Sequence, residues 1–179
     1  MPHSLLEDFL QTTPAYRGYL RMQDMAFPYD RAVAGPGMEL DRVLDEAWTD
    51  GSNHFTVFGQ PAEPTGEGDG LLCLFQCEGL SEPAVVRLDL SDREITLLAP
   101  DVRTFLARLA SGQPVDLSYE ASFDELPGVV QQRGWRGEVA KLMVFAAKTG
   151  VTPIKAPRGD RHFEVQDLIA QWHDASTPW

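Results

Sequence analysis

The stretch EPAVVRLDLSDREITLLAPDVRTFLARLASG, residues 82–112, decides the fold. Its first part alternates, with Val85, Arg87 and Asp89 on one face and Val86, Leu88 and Leu90 on the other. EITLLA alternates as well, setting Ile95 and Leu97 opposite Thr96 and Leu98. Two such runs joined only by Ser91, Asp92 and Arg93 make an antiparallel hairpin, because so short a connection cannot carry a crossover. After Ala99 and Pro100 the period changes from two to 3.6. Asp101 is a good N-cap, and Val102, Phe105, Leu106 and Leu109 form an apolar stripe, with Arg103, Thr104 and Arg108 expected to face outward. Gly112 stops the helix, which is expected to cover one face of the hairpin.

Working upstream, LLCLFQC at residues 71–77 is a strand that pairs beside this hairpin, and HFTVFGQ at residues 54–60 is another. Between them PAEPTGEGDG is a turn-rich, anionic loop, and TDGSN at residues 49–53 reads as a turn. Neighbouring strands in sequence build a meander. Ser4 with Glu7 three residues later predicts a capping box for a helix carrying Leu5, Leu6, Phe9 and Leu10. Tyr16, Tyr19, Leu20 and Met22 suggest a second short helix, and residues 38–48 show the clearest apolar stripe of the N-terminal third. Beyond Gly112, residues 122–126 start a short helix, residues 135–149 form one apolar over more than half its circumference, and residues 161–173 form a last one before a frayed STPW tail. The fold class is α+β: one domain with an antiparallel or mixed meander of about 4–6 strands packed against several helices. Its sheet-and-helix core is residues 53–112, flanked by N-terminal helices in 1–50 and a helical part in 113–179.

Composition bounds the function. The 179 residues carry a net charge of −12. The charge is uneven: residues 1–128 hold 22 acidic and 8 basic residues, residues 129–179 hold 5 and 7, and all three lysines lie in the second part. Such a chain repels phosphate backbones and attracts basic proteins, so direct nucleic-acid binding is not expected. No apolar run reaches the roughly 18 residues of a membrane span, and Glu7 and Asp8 interrupt the N-terminal apolar segment, against a secretory signal. Cytoplasmic residence is the expectation.

An inventory of reactive groups gives no catalytic pattern. Cys73 and Cys77 on one strand face lie roughly 13 Å apart, too far for a disulfide, and no histidine stands at zinc-ligand spacing from them. GEGDG at residues 66–70 precedes a strand rather than a helix and has no lysine, so it is no phosphate cradle. It also lacks the spacing of an EF-hand. His54 beside Asn53 is a strand-entry residue; His162 and His173, eleven apart, share a helix face and are expected on its solvated surface. The adjacent carboxylates Asp45 and Glu46, and Asp124 and Glu125, do not aim at one point. No cofactor or metal ligand set is expected. Trp48, Trp135 and Trp172 are candidates to line a pocket, though buried aromatics are more often core.

The order of turn-rich loop, LLCLFQC, PAVVRLDL, turn, EITLLAPD and VRTFLARLASG over residues 55–112 resembles the latter half of bacterial members of the SUKH superfamily. Many members of that superfamily are immunity proteins, so the resemblance implies a non-enzymatic acidic protein-binding domain that binds and neutralises a cognate bacterial toxin. Glu63, Glu67, Asp69, Glu78 and Glu82 are the candidate contact rim for a basic partner. The alternatives are a small-ligand-binding protein or enzyme with a pocket between sheet and helices, and a regulatory scaffold.

Overall fold

A computed structural model describes residues 4–30, 39–63, 68–112, 115, 135–154 and 159–176. The hairpin and its upstream neighbours form one antiparallel sheet in the order β1-β2-β3-β4: β1 (Phe55–Gly59), β2 (Asp69–Phe75), β3 (Ala84–Asp89) and β4 (Glu94–Ala99). Val86 faces Leu97 and Asp89 faces Glu94, so the turn holds four residues, 90–93, one more than the three expected, because Leu90 leaves the ladder. β2 starts two residues earlier than the apolar run suggests. The Asp69 carboxylate accepts from the Ser91 N–H (3.0 Å) and hydroxyl (2.6 Å), which stitches the end of the anionic loop to the hairpin turn.

Before the sheet come α1 (Leu5–Thr12), α2 (Arg17–Met22), α3 (Leu40–Ala47) and a single helical turn, α4 (Gly51–His54). The capping box of α1 forms, with Ser4 and Glu7 each taking the other's backbone N–H. The turn expected at residues 49–53 is instead α4, because Asp50 adopts φ 55° and lays Gly51 against α3. A Cβ on Gly51 would stand 2.2 Å from the Leu44 carbonyl oxygen, so this approach needs glycine. After the sheet come α5 (Val102–Ala110), α6 (Arg136–Lys148) and α7 (Gly159–Ser176). Asp101 caps α5 by accepting from the Thr104 N–H at 2.7 Å, and Gly112 follows at φ 76°. The helix expected over residues 122–126 lies outside the described residues, as do Asp124 and Glu125.

The helices take both faces of the sheet. Leu72, Val85 and Leu98 pack under α1, α2, α5 and α6, with the Phe9 ring 6.4 Å from Phe105 and 6.2 Å from Phe145. On the opposite face Cys73, Phe75, Val86 and Leu88 pack under α3 and α7, where Trp172 lies 4.9 Å from Phe75 and 6.3 Å from Trp48. The fold is therefore a helix–sheet–helix sandwich, with more cover than a hairpin and one lid helix. Trp48 and Trp172 serve one core and Trp135 packs against the other, so the three do not meet.

Three expectations are corrected. Arg108 does not face outward: it is fully buried, because α5 is enclosed on all sides from Phe105 to Ala110. Conversely α6 is only half covered, with Met143 and Val144 about half exposed, since its neighbours lie on one side, burying Val139, Leu142 and Ala146 and half-burying Phe145. Ser176 belongs to α7 rather than to a frayed tail; it is buried, and its carbonyl accepts from the Thr49 N–H at 2.7 Å. Among the described residues no helix is long and apolar enough to cross a membrane.

Candidate functional site

Glu63 and Asp69 stand at one end of β2, while Glu78 and Glu82 belong to the loop that leaves the other end toward β3. Those ends are roughly 20 Å apart at the usual rise per residue, so the rim does not gather into one edge. Asp69 is held by Ser91, and Glu82 is paired with Arg161 of α7 at 2.8 Å; Arg161 also reaches the Asp101 carboxylate at 3.5 Å. Glu63 is well exposed, with Arg21 3.9 Å away, and Glu78 is exposed. Glu67 lies outside the described residues. Acidic surface is nonetheless plentiful: Asp41, Asp45, Glu46 and Asp50 on the α3–α4 side and Asp92 and Glu94 at the hairpin turn are all exposed.

The sheet's two edges differ. The outer edge of β1 is strapped by the preceding chain: Ala26 and Gln60 exchange backbone hydrogen bonds of 2.9 and 3.1 Å, and the Tyr29 N–H donates to the Phe58 carbonyl at 3.1 Å. β4 is the other edge. Among the described residues no backbone hydrogen bond reaches its residues 94–99 from outside the sheet. Beside it runs a groove of about 710 Å³ walled by residues 93–97 on one side and by α7 on the other. His162, Gln166, Ile169 and His173, spaced at four, three and four residues, put one face of α7 along it.

His162 and His173 thus share a face as their spacing suggests, but not a solvated one. His162 is buried, and His173 is half-buried with Nε2 2.9 Å from the Arg93 carbonyl oxygen. Burial, and secondarily the positive charge of Arg108, hold the His162 pKa below its ordinary 6.5, so the ring is neutral at pH 7. Phe163 stands at the groove's rim, 64% exposed, the most exposed of the large apolar side chains among the described residues. The groove escaped the sequence reading because it joins β4 to a helix more than sixty positions later; the one available signal was the eleven-residue histidine spacing.

No reactive constellation converges in the described residues. Both cysteines are free and buried, and burial pushes the Cys73 thiol far above the range in which a thiolate forms. Nδ1 of His54 is held by the Gln76 carbonyl oxygen at 2.7 Å. Among the described residues no group of three His, Cys, Asp or Glu side chains is placed to hold a metal ion. No family model, curated protein or solved structure matches the chain.

Proposed function

We propose that the chain is a non-enzymatic acidic protein-binding domain, an immunity protein that binds and neutralises a bacterial toxin of basic surface. The observation that carries this reading is the placement of charge: carboxylates from α3, α4 and the hairpin turn stay exposed while both sheet faces are buried in apolar cores. Opposite surface potentials speed encounter and fix orientation, and a carboxylate-rich face can occlude the phosphate-binding cleft of a nuclease. The resemblance of residues 55–112 to bacterial SUKH members supports the same assignment.

The test is retention of partners from the source cell on the immobilised chain, with identification by mass spectrometry. A basic protein held at about 0.05 M salt and released toward about 1 M, where screening shortens the electrostatic reach from over ten ångströms to roughly 3 Å, agrees with the reading. Its toxicity must also fall when the chain is added. Retention of no protein, or of one whose activity the chain leaves untouched, refutes it.

A further inference from the structure

We propose that β4 is a docking edge: an extended segment of a basic partner adds to it as a fifth strand and lays its side chains in the groove against α7. This rests on the protein-binding reading above and names the surface that does the binding.

The two helix layers leave neither face of the sheet to a partner, and β1 is strapped by Ala26 and Tyr29. That leaves β4. All of residues 93–97 line the groove, members of both alternating sets. A pocket lying over one face of a strand touches every second residue, so consecutive lining means that the groove opens onto the strand's edge, where unpaired N–H and C=O groups project. The dimensions agree: the four strand residues Glu94 to Leu97 span about 13 Å, and the α7 wall from His162 to Asp174 rises about 18 Å, room for a segment of roughly four or five extended residues.

The edge also lacks the usual protection. Edge strands are normally blunted by lysine, proline or an inward charge, whereas EITLLA has a single charged residue, Glu94 at its start. Half-buried Ile95 offers apolar contact along the strand, and exposed Phe163 gives the incoming segment an aromatic rim. Strand addition takes its affinity from main-chain hydrogen bonds and its specificity from such side-chain contacts.

Charge selects the occupant. Glu94 and Asp174 line the groove, Asp92 is exposed in the turn that leads into it, and Arg93 is the one arginine or lysine among its lining residues. A second copy of this chain would bring a net charge of −12 against another −12. A segment bearing Lys or Arg beside its apolar positions meets the opposite charge.

The test pans a phage-displayed library of random peptides of about nine residues on the full chain at about 0.05 M salt. Recovered peptides carry basic residues and an alternating apolar pattern, and on binding they slow amide hydrogen exchange at Glu94 to Leu97 by about tenfold or more. Ala170→Gln, a groove-lining change at an exposed helix position, weakens binding about tenfold, while Ala140→Gln on exposed α6 leaves it unchanged. Unchanged thermal unfolding of both variants shows that they fold. Recovery of no peptide, binding that leaves β4 exchange unaltered or tolerates Ala170→Gln, or a dimer with protected β4 amides overturns the proposal. If a cellular toxin is neutralised while β4 exchange in its complex stays as in the free chain, this inference fails alone. If library peptides protect β4 but no cellular toxin is retained, the edge survives and the immunity reading fails.

Discussion

Arg108, Tyr19 and His162 show what burial does to single polar groups here. Arg108 is enclosed in the last turns of α5, and burial lowers its pKa to about 10, still well above neutrality, so the core holds a guanidinium cation. That charge presses on His162. Because the folded pKa of His162 is depressed below 6.5, the unfolded chain binds a proton more readily; the stability is complete above about pH 6.5 and is lost as pH falls through the folded value. His162→Gln is expected to flatten that loss: urea midpoints measured from about pH 7 to pH 5 should fall less steeply in the variant, and equal slopes would contradict the linkage. Tyr19 has the other kind of partner. Its hydroxyl donates to the Leu109 carbonyl at 2.6 Å and ties α2 to α5, while burial raises its pKa to about 12. Tyr19→Phe removes one of the two donors on that carbonyl, which keeps the Gly112 N–H at 3.1 Å, and should cost about 0.5–1.5 kcal/mol in denaturant unfolding. A cost near zero would mean that solvent reaches the Leu109 carbonyl.

At the level of elements, local chemistry decided where things start and stop. Asp101 caps α5, holds Arg161 and is itself nearly buried, so its side chain fastens α5 to α7 as well as opening a helix. Asp101→Ala is expected to lose about 1–2 kcal/mol, with Asp101→Asn recovering the cap but not the ion pair. Chemical denaturation of both variants separates the two contributions. The hairpin, the α5 cap and the Ser4 capping box were legible because each depends on residues within four or five positions, though the turn takes in Leu90 as well as the three residues expected. The α4 turn was not, since nothing local announces that Asp50 will take a left-handed conformation to seat Gly51 on the Leu44 carbonyl. Periodicity likewise told which residues of α5 and α6 share a face, but not how many faces would be covered. Hence Arg108 ended inside and Met143 and Val144 outside. The candidate site was the least legible part: the rim residues are close in sequence yet divided between the ends of β2, and the groove joins elements far apart in sequence.

For the whole molecule, the sheet is common property of the two cores. Val85 packs into one and Val86 into the other, so neither helix layer can come away without exposing strand residues that hold its counterpart in register. Far-ultraviolet circular dichroism and tryptophan fluorescence are expected to trace coincident unfolding transitions; Trp48 and Trp172 report one core and Trp135 the other. Two separated transitions would show layers that fold independently. The strap of Ala26 and Tyr29 over β1 carries a last consequence. Fibrous cross-β growth demands two adhesive margins per molecule, one to receive and one to offer. Here one margin is sealed by the chain itself, so any lateral annealing through the other terminates at a pair and cannot run on into polymerisation.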